Sequence, residues 1–253
     1  MQKGIADVSK KLKSLKNMAE LIPAILVQTE DEFRKRVALV APLVKTIQVD
    51  VMDGRFVPQT SWALPGAIAR MHLAVAIEAH LMVQYPERVV DQWIAAGARR
   101  IIIHFEARGN LGLVIEKCHA AGREVGISIN PQTSAGTIVD FLDIIDAVLV
   151  MGVAPGRSGQ KFQPIALEKI KDIQRRKPKM FIEIDGGVNR ENDLVLVAAG
   201  ADGLVVGSAL FDAPRPEAAL KGFLQDIATF DLSIDEIPRP VSPRAIRGGL
   251  RSG

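Results

Sequence analysis

From residue 21 onward, short apolar runs alternate with amphipathic segments along the chain. The apolar runs are rich in valine, isoleucine and leucine, while the segments between them place apolar residues at helical spacing. The runs predict eight strands, near residues 22–27, 46–52, 75–82, 100–105, 124–129, 147–151, 180–185 and 203–207. The other segments predict helices near residues 30–41, 64–73, 86–96, 110–121, 134–142, 164–176, 190–199 and 214–228.

The order of these elements predicts the architecture. A strict alternation of strands and helices implies a parallel sheet with right-handed crossovers. Eight units of roughly 25 residues fit a closed (β/α)8 barrel, the TIM-barrel fold of the α/β class. An open doubly wound sheet would usually carry a glycine-rich turn after its first strand. Here that strand is followed by Gln28, Thr29 and Glu30, and the glycine-rich turns come late, at 186–187 and 207.

Several residues mark where the predicted helices begin and end. Pro86 and Pro164 suit first helical turns, where a missing backbone N–H leaves no hydrogen bond unmade. Gly97, Gly122 and Gly200 suit helix ends, since glycine readily adopts the left-handed conformation found there. Each of these glycines precedes a predicted strand, so the helix and strand boundaries agree.

The ends of the chain differ in charge from its centre. The formal net charge is +3, and the surplus of lysine and arginine lies at residues 1–20 and 230–253. We therefore predict an N-terminal extension over 1–20, a barrel domain over 21–229 and a flexible tail over 230–253. The spacing of Ile5, Val8, Leu12 and Leu15 predicts a short amphipathic helix in the first of these, while Pro238, Pro240 and Pro243 favour flexibility in the last.

Charge and composition exclude several classes of function. The near-neutral barrel shows no nucleic-acid surface, and no apolar run approaches the roughly 18 residues of a membrane span. Cys118 is the only cysteine, which excludes an internal disulfide and a cysteine-cluster metal site. A single cysteine suits a reducing compartment, so we expect a cytoplasmic protein without a nucleic-acid or membrane partner.

Acidic residues stand at the ends of two predicted strands. In the second strand, side chains alternate between faces, so Gln48, Asp50 and Met52 share the face opposite to the outward valines. Asp185 ends the seventh strand and His80 the third. The second and seventh strands are three steps apart around an eight-stranded ring, so we expect Asp50 and Asp185 to face each other across its mouth. Met52, Met82 and Met151 belong to the same rim.

Two opposed carboxylates suit inversion at a carbon centre. One removes a proton α to a carbonyl, and the other returns a proton to the opposite face of the planar enediolate. His80 with Asp50 and Asp185 is a candidate site for a divalent metal that stabilises the negative charge. A lone strand-end aspartate is more often a turn or helix cap, and a lone histidine more often structural. The convergence of all three on one rim favours function.

The glycine-rich turns predict a phosphate site. Backbone N–H groups at Gly186, Gly187, Gly207 and Ser208 can cradle an anion. The loop 154–160 is a candidate lid, and its Arg157 either reaches a phosphate or is solvated. The inward-pointing Glu78 and Glu183 lie one layer deeper, as orienting groups for the site or as charges paired within the barrel.

These segments together resemble the ribulose-phosphate 3-epimerase family over about residues 21–211. The matching stretches are Val49–Pro58, His80–Val83, Asn130–Pro131, Met151–Gly156, Ser158–Gln160 and Asp185–Val188. The resemblance implies a ribulose-phosphate-binding barrel, a phosphorylated ketose substrate, a divalent metal (zinc, iron or manganese) and a homo-oligomer. It assigns Asp50 and Asp185 as the acid/base pair and His80 as a metal ligand. It places the three methionines beside the enediolate, Gly156, Ser158 and Gly159 in the substrate-binding lid, and Gly186, Gly187, Gly207 and Ser208 at the phosphate.

Three positions depart from the family pattern. The family has a metal-ligating histidine where this chain has Gln48, and a substrate-contacting serine where it has Ala24. The lid carries Arg157 where the family usually has phenylalanine. Because a glutamine carbonyl is a weaker zinc ligand than imidazole, Gln48 is a doubtful ligand.

The sequence therefore predicts a sugar-phosphate 3-epimerase, an isomerase that interconverts D-ribulose 5-phosphate and D-xylulose 5-phosphate. Two alternatives stay open. One is an epimerase for another ketose phosphate, such as a hexulose 6-phosphate, because of the altered corner at Ala24 and Gln48. The other is a non-catalytic sugar-phosphate-binding relative, because a family metal ligand is replaced.

Overall fold

The computed structural model describes residues 19–235 and consists of a closed barrel of parallel strands surrounded by helices. The strands are β1 (Glu20–Ile25), β2 (Thr46–Met52), β3 (Ala76–Met82), β4 (Arg100–His104), β5 (Glu124–Ile129), β6 (Ala147–Met151), β7 (Phe181–Asp185) and β8 (Gly203–Val206). The α-helices are α1 (Glu30–Val40), α2 (Pro65–Ala69), α3 (Val90–Ala95), α4 (Leu111–Ala120), α5 (Ile165–Arg176), α6 (Asp193–Ala199), α7 (Ser208–Phe211) and α8 (Pro216–Asp235). Two 3-10 helices span Pro86–Arg88 and Ala135–Phe141.

The barrel confirms the predicted TIM-barrel fold. Each strand pairs with its neighbour in sequence, and β8 closes the ring onto β1. The register between β2 and β3 places Gln48 opposite Glu78 and Asp50 opposite His80. The functional positions of these two strands therefore stand side by side at the same rim.

The helices differ from the predicted ones mainly in type and length. The segment predicted at 86–96 divides into the 3-10 helix Pro86–Arg88 and α3, and the one predicted at 134–142 is a 3-10 helix. The spacing of apolar residues does not distinguish an α-helix from a 3-10 helix, since both return a side chain to about the same face after three residues. Helix α7 was not predicted, and α8 continues to Asp235, past the predicted end at 228.

Helix caps follow the expected chemistry. The side chain of Thr29 accepts a hydrogen bond from the backbone N–H of Glu32 at the start of α1, and Asn110 does the same for Leu113 at the start of α4. Gly200 ends α6 with φ +109°, as predicted for a glycine that precedes a strand. These caps mark the start of α1 and α4 and the end of α6.

The core has two layers. Between strands and helices lie fully buried side chains such as Phe33, Trp93 and Phe223. Inside the barrel, Ile22, Leu149 and neighbouring apolar side chains fill the space. The helix-facing layer supplies most of the buried apolar surface, so the strand ends at the rim are held by a rigid scaffold.

The two predicted extensions lie largely outside the described residues. The amphipathic helix predicted from Ile5 to Leu15 and the proline-containing segment from Pro238 onward are in parts of the chain that the structure does not describe. Within residues 19–235, no helix combines the length and the apolar character needed to cross a membrane.

Candidate active site

The carboxyl ends of β2, β3 and β7 bring Asp50, His80 and Asp185 together. Nδ1 of His80 lies 3.3 Å from Oδ1 of Asp50 and 3.5 Å from Oδ2 of Asp185. The amide of Gln48 lies between the two acids, and its Nε2 donates to Oδ1 of Asp50 at 2.8 Å and to Oδ2 of Asp185 at 3.0 Å. The two carboxylates thus approach one point from strands three steps apart in the ring.

Burial and charge shift the pKa values of this group. Burial raises the pKa of the Asp50 carboxyl, the charge of Asp185 raises it further, and hydrogen bonds with His80 and Gln48 oppose the rise. Burial alone would lower the pKa of His80, but its hydrogen bonds to Asp185 and Asp50 raise it to about 9. A positively charged imidazole between the two acids reduces their mutual repulsion.

A second histidine, His104 at the end of β4, lies directly behind His80. The Nε2 atoms of the two rings are 2.9 Å apart, and the rings stack with their centres 5.0 Å apart. Burial lowers the pKa of His104 to about 4, so it is neutral near pH 7 and accepts a hydrogen bond from His80. On its other side, Nδ1 of His104 lies 3.4 Å from Oε2 of Glu106. These contacts fix the His80 ring with Nδ1 toward the two acids.

Sequence reasoning missed His104 and Glu106. The signal was present, because His104 ends a strand at the rim that also carries His80, and Glu106 follows it by two residues, the spacing that returns side chains to one face. Glu106 accepts hydrogen bonds from the hydroxyl of Thr133 and from the backbone N–H of Asn130 at 2.8 Å. Its carboxylate is thereby held in place behind the histidine pair.

A single cavity above the acids contains most of the predicted site residues. Asp50 and Asp185 line it, whereas Gln48 and His80 lie beneath its floor with no exposed surface. The predicted residues that line it are Met52, Met82, Met151, Gly156, Arg157, Ser158, Gly159, Gly186, Gly187, Gly207 and Ser208. Arg36 and Asp212 also line the cavity and were not among the predicted residues.

The three methionines form apolar walls beside the acids. Met52 and Met82 pack together with Val57, and Met151 belongs to the apolar cluster inside the barrel. All three are buried yet reach the cavity surface. An apolar wall excludes water from the space between the two acids.

The loops after β6 and β7 are closely packed against each other. Gly187 has φ +73°, and a Cβ atom added there would lie 2.7 Å from the backbone nitrogen of Phe162. The candidate lid, residues 154–160, contains two internal hydrogen bonds from Gln160. Its Nε2 donates to the carbonyl oxygens of Ala154 and Arg157 at 2.7 and 2.8 Å. Backbone groups of both loops therefore border the cavity in a defined arrangement.

The residues present fit a divalent metal ion. Asp50, His80 and Asp185 each offer one ligand atom, and these atoms lie within 4.8 Å of one another. In a tetrahedral site with bonds of about 2.1 Å, neighbouring ligand atoms are about 3.4 Å apart, close to the 3.3 and 3.5 Å separations of Nδ1 of His80 from the two acids. Oε1 of Gln48 is buried without a hydrogen-bond partner, so a turn of the amide would direct this oxygen at the same point.

Glu78 and Glu183 are charges paired within the barrel. Nη1 of Arg100 donates to Oε2 of Glu78 at 2.9 Å and also to Oε1 of Glu183. Burial raises the pKa of both carboxyl groups, and for Glu183 the nearby Glu78 adds to the rise. Neither glutamate lines the cavity. Of the two roles predicted for them, the contacts favour the ion-paired one.

The two departures from the family pattern at Ala24 and Gln48 are adjacent. They are direct partners in the register between β1 and β2. The Ala24 methyl group lines the cavity and lies 3.8 Å from where a Cβ of Gly207 would be, next to the predicted phosphate turn. The two replacements therefore lie side by side, with Gln48 beneath the floor of the cavity and Ala24 in its wall.

Known proteins are similar to this chain in sequence. A family model for the ribulose-phosphate 3-epimerase family matches residues 20–211. The chain belongs to this family. The ribulose-phosphate 3-epimerase of Chlamydia trachomatis is 36% identical over 174 residues, covering 66% of this chain and 74% of that protein. The one from Schizosaccharomyces pombe is 35% identical over 185 residues, covering 72% and 81%.

Solved structures support the fold alone. A 3-hexulose-6-phosphate synthase from Salmonella typhimurium superposes with a TM-score of 0.66 at 16% identity, covering 83% of this chain and 99% of the other. A structure of KGPDC from Streptococcus mutans gives a TM-score of 0.66 at 13% identity, covering 84% and 99%. At such identity the likeness of this chain to these proteins concerns the barrel, not the chemistry.

Proposed function

We propose that this protein is a ribulose-phosphate 3-epimerase, an isomerase that interconverts D-ribulose 5-phosphate and D-xylulose 5-phosphate. One observation carries the proposal: Asp50 and Asp185 converge from β2 and β7 on one amide nitrogen, at 2.8 and 3.0 Å, beneath a cavity bordered by glycine-rich turns. Membership of the family supports the same reaction.

The two acids act as proton carriers on opposite faces of the sugar. One carboxylate removes the proton from C3, which leaves a planar enediolate with charge on its oxygens. The other carboxyl group returns a proton to C3 from the opposite side, so the configuration inverts. For the reverse reaction the two groups exchange roles. His80, whose Nδ1 lies 3.3 Å from Asp50 and 3.5 Å from Asp185, is backed by His104 and keeps both acids oriented toward the substrate.

The rest of the cavity binds and encloses the substrate. Met52, Met82 and Met151 exclude water from the enediolate, and backbone N–H groups near Gly186, Gly187, Gly207 and Ser208 hold the phosphate. The lid residues Gly156, Ser158 and Gly159 close the cavity from above. A phosphorylated ketose is thus held by its charged end while its C3 lies between the two acids.

A divalent metal would be held by Asp50, His80 and Asp185, with Gln48 turned to present Oε1. When bound, it would supply positive charge that stabilises the enediolate oxygens. This donor set has more oxygen than nitrogen, which favours manganese over zinc relative to a two-histidine site. We also expect a cytoplasmic homo-oligomer, in keeping with the sequence predictions.

The preferred sugar is tested by a panel of ketose phosphates in D2O. The loss of the C3 proton signal is followed by NMR for D-ribulose 5-phosphate and for hexulose 6-phosphates, each with the metal-loaded protein. We expect the highest kcat/KM for D-ribulose 5-phosphate. A clear preference for a hexulose phosphate would replace the proposed substrate, and no exchange with any of them would remove the epimerase proposal.

A second candidate, an epimerase for a different ketose phosphate, is favoured by the corner at Ala24. A methyl group in place of a hydroxyl removes a hydrogen-bonding group from the cavity wall, so the sugar oxygens that it contacts differ from those in the family pattern. The non-catalytic alternative is favoured by Gln48, whose amide N–H groups donate hydrogen bonds to the carboxylates of both Asp50 and Asp185. In the same panel, binding without exchange, unaffected by Asp50→Asn, would support that alternative.

A further inference from the structure

We infer that Arg36 binds the phosphate of the substrate, so that a guanidinium group assists the backbone amides at this end of the cavity. The inference rests on the proposed function, because it assigns a specificity residue to the same cavity. Arg36 lies on α1, away from the strand ends that carry the predicted site.

The closure of the barrel brings Arg36 to the cavity. Because β8 pairs with β1, the helices that follow these strands, α7 and α1, are neighbours at the same rim. The side chain of Arg36 lines the cavity together with Gly207 and Ser208, which open α7. A cation therefore faces the space where the glycine-rich turns predict an anion.

The ring of Phe211 orients this cation. The guanidinium carbon of Arg36 lies 4.7 Å from the centre of the Phe211 ring, within the range of a cation–π contact. Phe211 belongs to α7, the short segment that Ser208 begins. The segment that borders the cavity at Ser208 thus also holds the guanidinium group in position. A group that is already held in position loses less entropy when it binds an anion.

Arg36 makes no ion pair with another described residue. Between residues 19 and 230, neither Arg36 nor Arg157 forms an ion pair, although both line the cavity. Arg34 on the same helix is different, since it pairs with Glu30 at 2.7 Å and its side chain is 54% exposed. Asp212 also lines the cavity and carries the opposite charge, but it makes no ion pair with Arg36.

A phosphate dianion would balance these charges. A guanidinium group presents two N–H groups in the plane that matches two phosphate oxygens, whereas backbone amides alone supply only partial charges. The half-buried setting of Arg36 reduces the screening of its charge by water. The inferred contact would make binding depend strongly on the phosphate and weakly on the sugar.

The test compares three variants by calorimetry, with inorganic phosphate, D-ribulose 5-phosphate and unphosphorylated D-ribulose as ligands. Arg36→Gln removes the charge, Arg36→Lys keeps the charge without the planar fork, and Arg34→Gln is the matched control on the same helix. We expect Arg36→Gln to weaken binding of both phosphates about tenfold, a change of about 1.4 kcal/mol. The phosphate affinity of Arg36→Lys should lie between those of the wild type and Arg36→Gln, and the phosphate affinity of Arg34→Gln should equal that of the wild type. Binding of D-ribulose should not depend on Arg36.

The outcomes separate this inference from the proposed reaction. Equal phosphate affinity in wild type and Arg36→Gln would overturn the inference, as would an equal loss in Arg34→Gln, which would indicate a general charge effect. Arg36-dependent phosphate binding in a protein without turnover would leave the inference standing and remove the proposed reaction. Phe211→Leu, which keeps the charge and removes the ring, should weaken phosphate binding in the same direction by a smaller factor.

Discussion

At the scale of single residues, Gln48 stands where the resemblance to the family implies a metal-ligating histidine. Its Nε2 lies within hydrogen-bonding distance of both acids, while its Oε1 is buried without a partner. The amide therefore reduces the repulsion between the two carboxylates by donating a hydrogen bond to each of them. Its Oε1 would bind a metal ion only after rotation of the amide group. A histidine at this position would offer a neutral nitrogen ligand instead.

Gln48→His is therefore expected to tighten binding of Zn²⁺ or Mn²⁺ by at least about tenfold, since imidazole is the better ligand. Isothermal calorimetry on the metal-stripped protein measures this directly. Gln92→His, at an exposed position of α3, controls for the addition of a histidine at a position far from the site. Unchanged metal affinity in Gln48→His would show that this corner does not touch the ion.

Arg100 is a second residue with a large predicted effect. It is the partner of Glu78 and Glu183 inside the barrel, and its guanidinium also lies 2.7 Å from Glu124. Arg100→Met would leave two buried carboxyl groups without a cation, and we expect a loss of about 3–5 kcal/mol in the free energy of unfolding. Urea denaturation followed by circular dichroism measures the loss.

The neighbouring Arg99 provides the control. Its side chain is 39% exposed and lies 3.8 Å from Glu124, so Arg99→Met should change stability by about 1 kcal/mol or less. Equal stability of the Arg100→Met and Arg99→Met variants would contradict the account of the barrel interior. Adding Glu78→Gln and Glu183→Gln to Arg100→Met should recover part of the loss, because neutral amides are less costly to bury than unpaired charges.

At the scale of elements, the loop after β7 depends on glycine for two separable reasons. Gly187 needs both a positive φ of +73° and the absence of a Cβ atom close to Phe162. Gly159 in the lid has nearly the same φ, +72°, but has nothing within 4 Å of an added Cβ. Gly159→Ala therefore reports backbone strain alone, and Gly187→Ala reports strain plus a steric clash.

We expect Gly159→Ala to destabilise the protein by about 1 kcal/mol and Gly187→Ala by clearly more, since backbone atoms of Phe162 must move. Urea unfolding of the two variants gives the difference, and KM for the ketose phosphate shows whether the phosphate end is displaced. Equal destabilisation of both variants would mean that the loops after β6 and β7 are not packed as described.

The elements also show what apolar patterning can and cannot predict. It predicted all eight strands because each is a short apolar run with turn residues on either side. It did not predict α7, since four residues are too few to show a helical period, nor the 3-10 hydrogen bonding of Ala135–Phe141. Arg36 escaped notice because a mid-helix arginine is usually solvated, and only the packing of α1 beside α7 makes it a cavity residue.

At the scale of the whole molecule, the order of strands decides which residues meet. The convergence of Asp50 and Asp185 follows from sequence once eight alternating units are counted, because β2 and β7 then have fixed places in the ring. The contact between His80 and His104 was missed, since it depends on how two neighbouring side chains pack behind the rim. The roles of the site residues remain predictions that rest on this shared geometry.

The proposed reaction requires that Asp50 and Asp185 both carry protons to and from C3 of one substrate. We expect Asp50→Asn and Asp185→Asn each to lower the rate of epimerisation by about a thousandfold or more, while both variants keep the melting temperature of the wild type to within a few degrees. Asp140→Asn, at an exposed position, serves as the control and should match the wild type.

The most direct measurement is the formation of D-xylulose 5-phosphate, with solvent deuterium at C3, from D-ribulose 5-phosphate in D2O by the wild type and the two Asn variants, followed by NMR. We expect rapid formation of the deuterated epimer by the wild type and by Asp140→Asn, and almost none by Asp50→Asn or Asp185→Asn, since inversion needs both acids. Near-normal formation of D-xylulose 5-phosphate by either Asn variant in a folded protein would contradict the two-acid scheme.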